Sequence, residues 1–432
     1  MNEHKSRDYY PLWHPDTQMK TAPVPQKVIS ANGVELELEH GKKLIDMVSS
    51  WWVNLHGHSH PVIAKAIYEQ AMNLEQVIFA DFTHDPAEKL ANGLLDALPD
   101  HFSRVFYSDD GSTAVEVALK MAIQYWRNQG EDRSAFLCFE NAYHGDTFGS
   151  MSVGARSVFT DPFVKFLFDI EYVPFPGTFL GDDSIVEREA QSLQVIEGQL
   201  KNNPSKFAGI ILEPLIQGAG GMNMCRPEYL QKLEELAHKY DLVVIYDEVM
   251  TGFGRTGDWF ACEKAKTEPD IICLSKGITG GFLPLSATVC NERIYNAFYD
   301  NDPYKAFYHG HSYMANPLGC AAGIASLDLM HNNEPKFRNM ESLHTKYLAE
   351  FDDHPKVKDI RVCGTVAALT VKSTEETGYM NHIGKKIKYK FYEAGYLVRP
   401  LGNVIYFLPP YIITEDQLAG AYHTMKEILD NI

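Results

Sequence analysis

The seven cysteines of this 432-residue chain form no CxxC pair and no zinc-ligand spacing, and their number is odd. That pattern argues against a disulfide framework and a structural zinc site. Reduced thiols in a cytoplasmic protein are expected. No apolar run is long enough to cross a bilayer. The opening residues, Met1 to Asp8, lack an apolar core, so no signal peptide is expected. Positive charge is scarce: 39 Lys and Arg face 57 Asp and Glu, for a net charge of -18. This argues against a nucleic acid or an anionic membrane as the main partner and leaves a local basic pocket compatible. No P-loop or GxGxxG follows an early strand, which disfavours a nucleotide-binding fold of those types. Internal repeats and low-complexity segments are absent too. What remains, 45% hydrophobic and 22% charged residues, is the composition of an ordinary soluble enzyme-sized protein, with a main domain and a smaller one expected.

Residues 1–57 carry several prolines and two short alternating stretches, Val34–Leu38 and Leu44–Val48, which predict an antiparallel segment belonging to a small domain. Residues 58–325 alternate helices with short aliphatic strands. Helices are predicted at Pro61–Glu75, Pro86–Ala97, Ser112–Trp126, Ile185–Asn202, Glu228–Tyr240 and Pro317–Met330. Strands are predicted at Arg104–Ser108, Ala135–Glu140, Phe168–Val173, Phe207–Glu213, Leu242–Asp247, Ile271–Ser275 and Ser286–Cys290. Such alternation implies an α/β fold whose large sheet is mostly parallel and covered on both faces. Residues 326–432 change texture again, with strands near Val357–Val371 and Val404–Pro409. They are expected to join residues 1–57 in an α+β domain built from both termini.

Open α/β sheets bind ligands beyond the carboxyl ends of their strands, and several reactive residues fall there. The stretch ending in Asp247 and the stretch ending in Lys276 are both aliphatic and both close in charge. A lysine able to form a Schiff base, with an acid able to keep a pyridine nitrogen protonated, is the minimal equipment for pyridoxal 5'-phosphate. A structural ion pair is the competing account. Gly111 permits a tight turn after a strand, and Ser112 and Thr113 offer hydroxyls and backbone N–H groups at a helix N-terminus, which favours a phosphate; an ordinary N-cap with a capping-box-like Glu116 is the alternative. Tyr143 follows another strand and could stack on a flat ring or simply close the core. Glu213 heads a glycine-rich turn and could steer the lysine or position a substrate group.

The run Asp247-Glu248-Val249-Met250-Thr251-Gly252-Phe253-Gly254-Arg255-Thr256-Gly257, followed by Leu274-Ser275-Lys276-Gly277, resembles the class III aminotransferases of fold type I. Met47–Trp52, Tyr143–Gly149, Glu213–Met222, Val398-Arg399-Pro400 and Leu408–Tyr411 extend that likeness over nearly the whole chain, toward the 7,8-diaminopelargonate synthases of biotin synthesis. The resemblance implies a homodimeric pyridoxal-phosphate transaminase with ping-pong kinetics. It implies that Lys276 holds the cofactor, Asp247 binds its ring nitrogen, Gly111 and Ser112 bind its phosphate and Tyr143 stacks on its ring. Trp51 and Trp52 would line the substrate pocket beside Tyr143 and Lys276, and Arg399 would clamp the carboxylate of 8-amino-7-oxononanoate. Core packing for the tryptophans and a helix-capping role for Arg399 are the bland alternatives. The family's phosphate-binding Gly-Pro-Thr, donated by the partner subunit, reads here Gly310-His311-Ser312. The N-terminal His-Pro-Tyr-Thr stretch reads His14-Pro15-Asp16-Thr17, which leaves the amino donor open between S-adenosylmethionine and lysine. Another class III ω-aminotransferase activity, or a cofactor-binding protein without transamination, are the rival functions.

Overall fold

The computed structural model describes residues 10–374 and 381–432; the opening segment Met1 to Asp8 lies outside them. Seven strands form the central sheet: β1 (Phe102–Ser108), β2 (Ala135–Phe139), β3 (Glu171–Val173), β4 (Phe207–Leu212), β5 (Val243–Asp247), β6 (Ile271–Leu274) and β7 (Ser286–Asn291). Their order is β1-β7-β6-β5-β4-β2-β3. Only β7 runs against its neighbours, β1 and β6. The remaining pairings are parallel.

Burial explains the composition of the middle strands. Every residue of β4, β5 and β6 is buried, and helices cover both faces, so Val243-Val244-Ile245 and Ile271-Ile272 have no solvent face to make polar. Since β5 and β6 are parallel neighbours, with Asp247 opposite Cys273, their charged ends emerge on one edge of the sheet.

Two predicted helices have different lengths. Pro61 opens its helix as expected, but the helix ends at Ala71 rather than Glu75. The helix expected to stop at Met330 continues from Pro317 to Leu348, straight through Pro335. Its distal turns bury Phe337, Met340, His344 and Leu348, and that tertiary burial outweighs the local cost of the proline.

The same helix links two apolar clusters. Leu327, Met330 and Phe337 pack in the larger one, whereas Met340 and Leu348 pack in a second cluster with Val34, Met47, Leu369, Ile405 and Leu418. The expected boundary at 325–326 therefore falls inside a continuous helix. Both ends of the chain meet in a four-stranded sheet, where Tyr396–Leu397 pairs in parallel with Lys43–Asp46. Among the described residues, no helix is long and apolar enough to cross a membrane.

Candidate active site

Asp247 ends β5 almost fully buried, and two donors fix its carboxylate. His144 Nδ1 lies 2.7 Å from Oδ2, and the Val249 amide donates to Oδ1 at 3.1 Å. A carboxylate can only accept, which puts the histidine proton on Nδ1. Among the described residues the other nitrogen, Nε2, is buried without a hydrogen-bond partner, a costly arrangement for an imidazole. His144 had no assigned role in the sequence reading; its position beside Tyr143, just past a strand end, was the available clue.

Lys276 follows β6 by two residues, with its backbone at φ 44°, the left-handed region that side chains rarely adopt. Its Nζ lies 4.9 Å from the centre of the Trp52 ring. Among the described residues no carboxylate comes within 4.0 Å of it, so the structural ion pair with Asp247 is not formed. Desolvation pushes its pKa down, partly offset by the more distant charges of Asp247 and Glu213 and reinforced by Arg255. The outcome is an amine biased toward its neutral, nucleophilic form.

The phosphate-cradle candidates sit at the start of α1 (Gly111–Asn128). Asp110 caps it, accepting from the Thr113 amide at 3.0 Å while Thr113 Oγ1 accepts from the Asp110 amide at 3.0 Å. The capping box is thus Asp110–Thr113, and the expected role of Glu116 is corrected. Glu116 instead accepts from Thr147 Oγ1 at 2.6 Å and the Gly149 amide at 2.7 Å, tying the 143–150 loop to the helix. Gly111 and Ser112 occupy the first two helical positions, whose N–H groups have no acceptor within the helix. Close packing keeps side chains out of this cradle. A Cβ on Gly111 would stand 2.6 Å from Val249, and one on Gly145 (φ +127°) would stand 2.1 Å from Ser112 Oγ.

Tyr143 is 40% exposed, and its hydroxyl donates to Asp146 at 3.0 Å. Burial of the phenol and the neighbouring Asp146 carboxylate raise its pKa, so it stays protonated. Glu213 accepts from the Tyr143 amide at 3.0 Å and the Gly218 amide at 2.8 Å, which seats the tyrosine loop against β4. A cradle of helix N–H groups, a half-buried aromatic, a buried acid and a lysine whose pKa is lowered by burial, all beyond one sheet edge, fit a planar, phosphorylated aldehyde.

The tryptophans divide. Trp52 is buried, donates Nε1–H to Tyr406 at 3.0 Å and walls off Lys276. Trp51 is 41% exposed, with the Arg399 guanidinium 4.2 Å from its ring centre. Arg399 Nη2 also faces Asp16 Oδ2 at 3.8 Å. Ser49 to Trp52 all have positive φ, a left-handed run that costs energy at each non-glycine residue. Two buried groups to which the sequence assigned no role, Asp46 and Arg255, hold it. Asp46 accepts from Ser50 Oγ at 2.9 Å and the Val48 amide at 3.1 Å. Arg255 donates to the carbonyls of Trp52, Asn54 and Pro409 at 3.1–3.4 Å. Gly310 and Ser312 lie exposed on the surface, the Ser312 carbonyl accepting from Gln76 at 2.8 Å, and His311 Nδ1 lies 3.5 Å from Asp109 of the same chain.

Burial holds Glu213 and Glu248 at a pKa of about 7, against 4.5 in an exposed chain. Between those values the folded state binds more protons than the unfolded one. This contribution to stability is full below pH 4.5 and is lost as pH rises through about 7. Each group accounts for up to about 3 kcal/mol. Thermal unfolding should show Glu213→Gln with a flatter decline over that window. A slope identical to wild type would refute the assignment.

The family model for aminotransferase class-III matches residues 18–429. The adenosylmethionine-8-amino-7-oxononanoate aminotransferase of Synechococcus elongatus is 52% identical over 421 residues, 98% of this chain and 99% of that one. Among solved structures, the protein of the same name from Methanocaldococcus jannaschii superposes with a TM-score of 0.89 at 34% identity, covering 96% of this chain and 97% of that one. A PLP-bound amine transaminase from an uncultivated Pseudomonas species superposes with a TM-score of 0.92 at 29% identity, covering 98% of this chain and 99% of the other. On this full-length match of sequence and fold, the chain belongs to the class III aminotransferases.

Proposed function

We propose that this transaminase moves an amino group from S-adenosylmethionine to the ketone of 8-amino-7-oxononanoate, giving 7,8-diaminononanoate, with pyridoxal 5'-phosphate as cofactor. The 52% identity to a relative of that name, over 98% of the chain, carries the reading. Pyridoxal phosphate supplies an aldehyde that carries the amino group and a protonated ring that withdraws electrons from the reacting carbon.

The chain's own residues supply the rest. The Gly111 and Ser112 amides would receive the phosphate, Tyr143 would pack on the ring, and Asp247, steadied by His144, would keep the ring nitrogen protonated. Lys276 would hold the aldehyde and, once released, move the proton between substrate and cofactor carbons as general base and acid. Burial suits it to that task by lowering its pKa. At the outer end of the pocket, Trp51 and Arg399 would take the aliphatic chain and the terminal carboxylate, the guanidinium binding it with two parallel hydrogen bonds. A homodimer would bring the second copy's Gly310-His311-Ser312 to the phosphate, and sedimentation of a fully active monomer would refute that arrangement.

The deciding experiment supplies 8-amino-7-oxononanoate with either S-adenosylmethionine or lysine and looks for the diamine. Absence of product with both donors would sink the substrate assignment. Arg399→Ala should weaken the keto-acid half-reaction by about 10- to 100-fold, the value of a charge-assisted bidentate contact, and spare the donor half-reaction. Equal losses in both halves would point to structural damage instead.

A further inference from the structure

A buried polar chain reaches the backbone beside Lys276 from the long helix Pro317–Leu348. Ser326 and Asn333 stand seven residues apart on that helix, on one face, and both meet His56. All three side chains are buried. Lys336 Nζ donates to Asn333 Oδ1 at 3.2 Å, which leaves Asn333 Nδ2 to donate to His56 Nδ1 at 2.9 Å. Burial, with His60 and Arg255 nearby, holds the His56 pKa down to about 3, so the ring is neutral and its one proton sits on Nε2. Nε2 then donates to Ser326 Oγ at 3.0 Å, and Ser326 in turn donates to the Gly277 carbonyl at 3.3 Å. Every donor runs in the same direction, and the chain ends on the residue after Lys276.

The Gly277 carbonyl also accepts from the Gly280 amide at 2.9 Å, closing the short turn Lys276–Thr279. That turn is strained, because Lys276 has a left-handed backbone (φ 44°), and such a residue persists only where its surroundings over-determine it. The proposed reaction uses none of these three side chains. We propose that His56 and Ser326 are positioning residues for Lys276: through the Gly277 carbonyl they hold the strained turn in the conformation that sets the amine against Trp52. The inference rests on Lys276 as the carrier of the cofactor aldehyde. Direction is what makes the pair more than filling. With its oxygen taken by His56 and its proton by Gly277, the Ser326 hydroxyl has one orientation, and so has the turn it grips.

Ser326→Ala removes the last link with little change in volume. Hydrogen exchange of the 276–280 segment in the holoenzyme should quicken in this variant, while the midpoint of thermal unfolding moves little. Lys276 should link to added pyridoxal phosphate about three- to tenfold more slowly, the effect of losing one neutral hydrogen bond, as read from the visible absorbance. Ser326→Thr keeps the hydroxyl and should restore both readouts. His56→Phe leaves the hydroxyl free to rotate; combined with Ser326→Ala it should slow linking no further, since both act through one carbonyl. If His56→Phe does not fold, Ser326→Ala and Ser326→Thr decide the matter. These readouts need no substrate, so they stand whichever donor and keto acid the enzyme takes. Unchanged exchange and linking in Ser326→Ala, with Lys276→Ala inactive, would overturn this inference alone. Lost thermal stability without rescue by threonine would assign the pair to packing and overturn it as well. Multiple turnover in Lys276→Ala would overturn the role of the lysine and this inference with it.

Discussion

Alanine in place of Lys276 is expected to abolish multiple turnover, lowering kcat by at least about 10³-fold, within the range for removal of a general acid–base. In the proposed reaction the lysine carries the aldehyde and shuttles a proton. Its surroundings favour both. Burial beside Trp52 biases it toward the neutral amine, and no carboxylate among the described residues lies close enough to pin the charged form. The same geometry separates chemistry from folding. Alanine removes a desolvated amine without breaking an ion pair, so thermal stability should hold or rise while activity disappears. Measured together, the unfolding temperature, the visible absorbance of lysine-linked cofactor and the steady-state rate decide the matter. Multiple turnover surviving in the variant would refute the role.

For Asp247→Asn a loss of about 10²- to 10⁴-fold in kcat is expected, corresponding to the 3–5 kcal/mol typical of breaking a buried charge contact. Asparagine fits the space and can still accept from the Val249 amide. It cannot return the negative charge that His144 faces and that the proposed reaction sets beside a protonated ring nitrogen. The ring nitrogen is needed in both half-reactions, so both should slow by a similar factor. That signature differs from Arg399→Ala, where only the keto-acid half should suffer. A loss under tenfold, or one confined to a single half-reaction, would contradict the assignment.

Much of the fold was legible in local pattern. The aliphatic runs ending at Asp247 and Lys276 form neighbouring strands because only strands buried on both faces tolerate so little polarity. Helix ends were less legible. The helix expected to end at Met330 continues through Pro335 because its far face is buried in the second apolar cluster. Glu116 reads as a cap, but Asp110 lies in the better position and leaves Glu116 to hold the 147–150 loop.

In the candidate site, residues at strand ends could be picked out, since strand ends are where α/β sheets present groups to ligands. Groups acting across long separations could not. His144 meets Asp247 over 103 residues, and Arg255 reaches Pro409 over 154. Nothing in the local sequence encodes such encounters.

The sequence by itself determined the class of sheet, the strand ends bearing Asp247 and Lys276, and the family, because hydrophobic period and local motif are properties of adjacent residues. Tertiary structure alone decided that Asp247 and Lys276 share an edge without pairing, that Trp52 is buried against Lys276 while Trp51 is 41% exposed, and that Asp16 meets Arg399. Each of those depends on distance and desolvation between segments far apart in the chain, and only packing sets either quantity.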